Sequence, residues 1–183
     1  RDLSSGVYKI RSTASGTAPT DDDLFQTLTN GLSGSGMPDW RHLDDQTRWQ
    51  LVYYLKSLSS TFTDSPPEAV DLGKDPGPSA RIVEQGRQVY DKLGCASCHG
   101  TLGRGNGSSS AVLTDDWGRP MRPANLTEGW SYRGGAGPRE IVARMLTGIS
   151  GTPMPSYADA VSTEEAWQLA YYVQSLQEPV HWA

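Results

Sequence analysis

Two stretches of the chain repeat each other, and this internal repeat limits the possible folds more than any other feature of the sequence. Residues 31–40 align with residues 148–157 at a constant offset of 117, and both stretches place a Met-Pro pair after a glycine-rich run. Residues 49–58 align with residues 167–176 at an offset of 118. Because such a small change of offset needs only a short loop insertion, we expect two copies of one module.

The repeat also predicts where the modules begin and end. Residues 2–6 align with residues 125–129, which lie in the middle of the second copy, so the first copy is expected to lack its first forty-odd residues. The predicted organisation is the C-terminal part of a first module at 1–60, a Pro-rich linker at 61–78, a complete module at 79–177 and a tail at 178–183. Proline and polar residues without apolar periodicity indicate that the linker is an extended, semi-stiff spacer.

The regular structure is predicted to be all-α. Apolar residues recur at helical spacing in several segments, and no segment alternates convincingly as a strand does. Ser79 is a candidate N-cap for one helix, and Ser162 or Thr163 for the last one. The expected helices are 20–29, 44–58, 80–93, 138–147 and 162–177.

The composition argues against a nucleic-acid partner and indicates that an additional group fills the core. With 20 glycines, 12 prolines and 36% hydrophobic residues, small modules of this kind would bury little apolar surface without an additional group at their centre. The net charge of −5 and the absence of a Lys/Arg run argue against a nucleic-acid partner. No stretch approaches the roughly 20 apolar residues that would cross a bilayer.

One short motif carries most of the chemical information. Cys95 and Cys98 are three positions apart and are followed directly by His99. On one turn of chain, two such thiols can each add to a vinyl group of a haem, and the next side chain can offer its imidazole to the iron. The motif therefore predicts one haem c that is bound covalently through both cysteines.

Two other uses of the cysteines are possible in principle, a structural zinc site and a redox-active dithiol. A structural zinc site needs four ligands, whereas the chain has no third cysteine and its other histidines are distant in sequence. A redox-active dithiol of the thioredoxin kind is expected beside a βαβ unit, and no such unit is predicted. Both alternatives explain the sequence less well than haem attachment does.

Together with the motif, its surroundings resemble a class I cytochrome c domain, of the bacterial type found in tandem di-haem cytochromes. The resemblance covers the second module completely and the first from its middle onward. It implies a bundle of small helices around the haem, in which the first and last helices cross. Gly86 would lie where these two helices approach closely, and Tyr90 would lie near Tyr171 or Tyr172. The stretches that carry it are 86–90, 95–100, 103–107, 122–127, 151–155 and 167–172.

The second axial ligand decides what a haem of this kind can do, because an open iron site binds small molecules whereas a closed one favours electron transfer. Met154, between two prolines in the repeated loop, is the leading candidate. Met121 and Met145 are expected to be packing residues, which is the usual role of methionine. Met37 holds the equivalent place in the first copy, so it is a possible axial ligand of a first haem in the intact protein.

Two histidines outside the motif are also possible iron ligands. His42 has no counterpart in the second copy, where Asp159 stands, and His181 lies in the tail. A solvated surface position is the preferred interpretation of both.

The resemblance implies a carrier of single electrons and not an enzyme in its own right. It would be a soluble shuttle or the cytochrome subunit of a larger respiratory oxidoreductase, with redox proteins as partners, in the periplasm or another exported location. The alternative is a haem enzyme or sensor, peroxidase-like or gas-binding, with an open or displaceable sixth ligand. A haem-attachment motif upstream of Arg1 would make the intact protein di-haem.

Overall fold

Helices make up the regular structure of the part of the protein that the computed structural model describes, residues 2–62 and 67–178. Only isolated β-bridges accompany them within those ranges, so the all-α prediction is confirmed. The six α-helices are α1 Asp21–Asn30, α2 Asp45–Ser57, α3 Ala80–Lys92, α4 Ala96–His99, α5 Pro138–Thr147 and α6 Thr163–Ser175, and a 3-10 turn covers Gly129–Ser131.

Side-chain caps fix the starts of most of the longer helices. The Ser79 side chain accepts a hydrogen bond from the backbone N–H of Ile82 and so begins α3. Ser162 begins α6 and forms a capping box with Glu165, which settles the choice between Ser162 and Thr163. Thr20 caps α1 and also forms a capping box, with Asp23. The Asp44 side chain caps α2 by accepting from the N–H of Thr47. Each cap satisfies a backbone N–H that a helix start leaves without a partner.

Helices α3 and α6 cross in direct backbone contact at Gly86. A Cβ atom at this position would lie 2.0 Å from the carbonyl oxygen of Gln168, so only glycine allows the helices to approach this closely. One turn further along α3, the ring of Tyr90 meets that of Tyr172 edge to face, with centroids 5.3 Å apart. The crossing implied by the resemblance is therefore present. Of the two candidate tyrosines, Tyr172 is the one whose ring contacts Tyr90 edge to face.

The larger core lies where α5 and α3 pack on α6. Val142, Ala166 and Ala170 are fully buried there, and Trp167 and Tyr90 are nearly so. This core also includes the half-buried side chain of Cys95, which brings the motif against the packed interior.

A second, smaller core holds α1 against α2. Its buried members are Leu24, Leu28 and Val52, with partly buried side chains around them that include Met37. The rings of Phe25 and Trp49 stack at 4.5 Å beside this core.

The described part of the linker, residues 67–78, contains no helix, but it is docked on the rest of the protein and is not the free spacer that the sequence predicted. The indole Nε1 of Trp167 donates a 2.7 Å hydrogen bond to the carbonyl oxygen of Leu72, and the Tyr171 hydroxyl donates one of 2.7 Å to Asp75. On the other side, the N–H of Val70 donates to the carbonyl oxygen of Ser12 at 2.8 Å. The sequence pattern missed this docking because the contacts come from backbone carbonyls and isolated polar side chains.

Candidate haem site

The two cysteines and the histidine share one tight helical turn. Cys95 stands at the start of α4, and its carbonyl oxygen accepts from the N–H of His99 at 2.9 Å and from that of Cys98 at 3.3 Å. Both cysteines are free thiols with half-buried side chains. The local fold therefore presents two thiols and an imidazole from five consecutive residues, as covalent haem attachment requires.

A glycine-rich loop wraps around this turn and holds its backbone. Gly105 donates its N–H to the carbonyl oxygen of His99 at 2.8 Å, and Gly107 donates to that of Cys98 at 3.0 Å. A Cβ atom on Gly107 would lie 2.3 Å from the carbonyl oxygen of Ser97, so the loop can approach the turn only because glycine is there. The run serves as the turn after the motif.

The imidazole of His99 is oriented by a carbonyl group of the chain. Its Nδ1 lies 3.0 Å from the carbonyl oxygen of Ala124. Since a carbonyl only accepts hydrogen bonds, Nδ1 carries the proton in this contact and Nε2 is left with its lone pair. A neutral imidazole held in this tautomer is the form that binds a metal ion.

Burial controls the protonation of the motif. It holds the pKa of His99 below its ordinary value, against the smaller opposing effect of the Ala124 carbonyl, so the imidazole stays neutral near pH 7. Burial also raises the pKa of the Cys95 thiol to about 11, so that this thiol is protonated at neutral pH. The Cys95 thiol is therefore not a reactive thiolate in this fold.

The loop that carries Met154 is built by hydrogen bonds within itself. The N–H of Ile149 donates to the carbonyl oxygen of Met154 at 3.1 Å, and the N–H of Met154 donates to the Thr152 hydroxyl at 3.2 Å. The loop ends at Tyr157, whose N–H donates to the carbonyl oxygen of Met145 at 2.9 Å. Met154 is thereby held in one place relative to α5.

Tyr157 of this loop and Cys95 of the motif pack against the same core. Burial raises the pKa of Tyr157, and the negative charges that Cys95 and Cys98 would carry as thiolates add to this effect. Met154 itself is partly exposed and borders a cavity of about 370 Å³, whereas Met145 is 4% exposed within the core. Met145 is therefore a core residue, as predicted, whereas Met154 lies outside the core.

The loop around Met37 repeats this arrangement bond by bond. Leu32 N–H donates to the Met37 carbonyl oxygen at 3.1 Å, and Met37 N–H donates to the Ser35 hydroxyl at 3.2 Å. The N–H of Trp40 donates to the carbonyl oxygen of Leu28 at 3.0 Å, as that of Tyr157 does to Met145. The sequence repeat between residues 31–40 and 148–157 is thus also a repeat of backbone geometry.

The remaining candidates in the described residues, Met121 and His42, are not part of either core. Met121 is half-buried in a loop whose backbone pairs with Leu113, outside the core, so the expected packing role is only partly met. His42 is exposed beside Trp40, which confirms its predicted surface position. His181 lies outside the described residues.

Two groups near the motif were not identified from the sequence. The carbonyl oxygen of Ala124 has no sequence signature, because any residue supplies one. Tyr157 stands three residues after Met154 and aligns with Trp40 in the repeat, which was the only sign of its importance.

The residues present fit a covalently attached haem. The free cysteines, the His99 nitrogen left available by the Ala124 contact and a thioether on an ordered loop are the donors that haem c uses. In contrast, no group of three or more potential metal-binding side chains from His, Cys, Asp and Glu occurs within 2–62 and 67–178.

Comparisons with known proteins agree with this chemistry. The family described as cytochrome c matches residues 83–177. The "Cbb3-type cytochrome c oxidase subunit FixP" of Sinorhizobium medicae (strain WSM419) is 29% identical over 164 residues, which are 84% of this chain and 46% of that protein. The FixP subunit of Rhizobium meliloti (strain 1021) is 26% identical over 163 residues, with the same coverage of both chains. This chain therefore spans about half the length of these curated relatives.

A solved structure is similar over nearly the whole chain. It is the "reducing HAO-like protein complex Kustc0457/Kustc0458" of Kuenenia stuttgartiensis, with a TM-score of 0.91 and 40% identity. The match covers 97% of this chain and 81% of that one, so it includes the residues before the linker as well as those after it.

Proposed function

The chain belongs to the cytochrome c family, and from that premise we propose that Cys95 and Cys98 hold its haem c through thioether bonds while His99 and Met154 are the axial ligands. The family assignment makes the protein an electron-transfer cytochrome. One observation carries the ligand proposal: the contact between His99 Nδ1 and the Ala124 carbonyl leaves Nε2 available on the same turn as both thiols.

The haem, when bound, supplies an iron that gains and loses one electron. The residues of the chain hold it, orient its ligands and limit the access of water. The Ala124 carbonyl fixes the direction of the His99 ring, and the backbone bonds from Gly105 and Gly107 keep the attachment turn rigid. A rigid ligand set changes little between the two oxidation states, which favours fast electron exchange.

Met154 as the second axial ligand is supported by the order of its loop and by its position away from the core. Three hydrogen bonds define the loop, so its thioether can be offered to the iron without further ordering of the backbone. A thioether favours the reduced iron and raises the reduction potential.

Replacing Met154 with Ala tests this assignment. The unmodified ferric protein is expected to be low-spin and to show the weak near-infrared band of a thioether–ferric bond. The M154A variant should lose this band, have a lower potential and bind carbon monoxide when reduced. Met145→Ala is the matched control, since it should cost about 2–5 kcal/mol of stability and leave the band in place.

Rapid carbon monoxide binding by the unmodified reduced protein would contradict the assignment. It would favour the alternative of a haem enzyme or sensor with an open or displaceable sixth position.

We also propose that the chain works outside the cytoplasm as a cytochrome subunit or domain of a respiratory complex. Both curated relatives are named as oxidase subunits, and the similar solved structure is a protein complex. None of the helices that the structure describes is long and apolar enough to span a membrane. Fractionation of the source cells tests this: holoprotein in the periplasmic or membrane fraction supports the proposal, and holoprotein in the cytoplasm contradicts it.

Residues 1–60 are proposed to be the later part of a first cytochrome module. The matching bonds around Met37 and Met154 support this, and so does the pairing of α2 with α6 in sequence. Tyr53 is 60% exposed on α2, whereas its counterpart Tyr171 is 5% exposed beside the docked linker and α3. In a longer form of the chain, Met37 would ligate a second haem. Mass spectrometry of that form should find two haems, and a single haem would contradict the proposal.

A further inference from the structure

The C-terminal end of α5 is where the Met154 loop begins, and each of its last four carbonyl groups has a hydrogen-bond donor. A helix leaves these four oxygens without partners of its own, so the donors determine how the following loop is held. The pairs are Gly148 N–H to Arg144 O at 2.9 Å, Tyr157 N–H to Met145 O at 2.9 Å, Ser156 Oγ to Leu146 O at 2.6 Å and Arg11 Nη2 to Thr147 O at 2.8 Å.

Three of these donors belong to the loop itself, and the fourth comes from the other side of the linker. Arg11 precedes α1, and it donates across to the last carbonyl group of α5. Its own carbonyl oxygen accepts a 2.9 Å hydrogen bond from Nη2 of Arg144, so the contact runs in both directions. These two bonds join the residues before the linker to the start of the Met154 loop.

Arg11 is also fixed on its own side of the contact. The residue is fully buried, and its Nε donates to the carbonyl oxygen of Ala14 at 3.2 Å. Burial lowers the pKa of Arg11, an effect that the nearby Asp23 partly offsets. An arginine is costly to bury unless its N–H groups are used, and a guanidinium bond to a helix C-terminus also interacts favourably with the helix dipole.

From Thr147 the chain has little freedom before it reaches Met154. Gly148 turns the backbone with φ +65°, and a Cβ there would lie 2.6 Å from the N–H nitrogen of Ser156. Gly151 lies against the ring of Trp117, to which an added Cβ would come within 2.7 Å. A displacement of the Thr147 carbonyl would therefore be passed on to the loop.

We propose that Arg11 is a positioning residue for the axial ligand Met154, which it holds by donating to the Thr147 carbonyl at the start of the ligand loop. This inference rests on the proposed role of Met154. It makes the ligand set of one haem depend on a residue that lies before the linker and outside the region matched by the cytochrome c family.

Cyanide binding to the ferric holoprotein tests the proposal, because cyanide reaches the iron only when the methionine leaves it. The variant Arg11→Met keeps an unbranched side chain of similar reach and removes every donor. Loss of a charge-assisted bond to a buried carbonyl should make loop opening, and with it cyanide binding, roughly tenfold to hundredfold faster. The near-infrared thioether band should also disappear at a lower temperature than in the unmodified protein.

Arg48→Met is the matched control. Arg48 is likewise a buried arginine before the linker, but its side chain donates to Thr29 and Asp45, which are also before the linker. This variant should lose stability and keep the unmodified rate of cyanide binding. An equal acceleration in both variants would show that general loosening of residues 2–62 is responsible, which would overturn the proposal.

If Arg11→Met does not accumulate as holoprotein, the rate of cyanide binding is measured on Arg11→Lys instead. Lysine keeps the charge but cannot make all three bonds of the Arg11 guanidinium, which go to the carbonyl oxygens of Tyr8, Ala14 and Thr147, so an intermediate rate is expected. An unmodified rate in the lysine variant, or in the methionine variant where it accumulates, would refute the role of Arg11. Absence of the thioether band from the unmodified protein would instead refute the assignment of Met154, so the two failures are distinguishable.

Discussion

The hydroxyl group of Tyr90 donates a 2.6 Å hydrogen bond to the carbonyl oxygen of Gly100, the residue directly after His99. Tyr90 is 1% exposed, and burial raises the pKa of its hydroxyl well above the ordinary value, so it remains a donor at any physiological pH. The bond connects α3 to the end of the haem-attachment turn. The crossing of α3 and α6 and the geometry of the attachment turn are therefore linked through one side chain.

Tyr90→Phe should lower the free energy of unfolding by about 0.5–1.5 kcal/mol, because the Gly100 carbonyl oxygen would lose one of its two donors and keep the N–H of Gly103. The phenyl ring should keep its edge contact with Tyr172, which limits the loss to the hydrogen bond. Denaturant unfolding followed by circular dichroism measures the change. Tyr53→Phe, at an exposed position, should be neutral within about 0.5 kcal/mol, and equal effects of the two changes would argue against the bond.

Gly86→Ala should destabilise the protein even though alanine is the better helix former by about 1 kcal/mol. The new methyl group would lie 2.0 Å from a backbone oxygen of α6, and neither backbone can move aside without separating the two helices. Overpacking of this kind costs about 1–3 kcal/mol. A lower midpoint of thermal unfolding is the expected measurement.

Gly36→Ala is the control for that substitution, because nothing lies within 4 Å of its added Cβ and its φ angle is not in the left-handed region. Its midpoint should stay close to that of the unmodified protein. A stabilising effect of Gly86→Ala would mean that α3 and α6 are further apart than described here.

Serine substitutions at the cysteines should show covalent haem attachment directly. The denatured, unmodified protein should carry the mass of one haem and keep it through acid-acetone extraction. Replacing both Cys95 and Cys98 by Ser removes both thioether bonds, so any haem that is bound should then extract freely. Ser97→Ala, between them, should leave the haem attached, and extraction from the unmodified protein would disprove the attachment.

Glu165 should give stability that depends on pH in the acid range. Its carboxylate accepts from Lys92 at 2.7 Å and from the N–H of Ser162 at 2.9 Å, and the Lys92 bond is the larger cause that lowers the pKa of Glu165 below its ordinary 4.5. Because the folded-state pKa is the lower one, the stabilisation is complete above about pH 4.5. It is lost as the pH falls through the folded-state value.

The difference in unfolding free energy between the unmodified protein and Glu165→Gln should therefore be about 0.5 kcal/mol near neutral pH and should shrink in acid. Glutamine retains the capping box, so the difference reports the charge. In a Lys92→Met background most of the difference should vanish. A difference that grows in acid would show that the sign is wrong.

The helices and the motif were predictable from the sequence because their signals are local. Ser79 and Ser162 mark helix starts through their own side chains, and the predicted helix at 138–147 has the bounds of α5. The buried position of Met145 was predictable from its place on the apolar face of its helix.

Contacts made by backbone carbonyls could not be predicted. The Ala124 oxygen beside His99, the Thr147 oxygen beside Arg11 and the Leu72 oxygen beside Trp167 belong to residues of quite different types. A carbonyl group is present at every position, and only the fold decides which one meets a donor. For this reason the linker was expected to be a spacer, although it is docked on α6.

The docked linker bears on how a protein of this kind can change in evolution. Trp167 and Tyr171 of α6 have their polar atoms satisfied by Leu72 and Asp75, which lie before the segment matched by the family. A gene rearrangement that moved only residues 83–177 would separate the side chains of Trp167 and Tyr171 from the groups that accept their hydrogen bonds. The stretch that is inherited as a working piece therefore starts upstream of the recognised domain, and recombination points that preserve function should fall before Leu72.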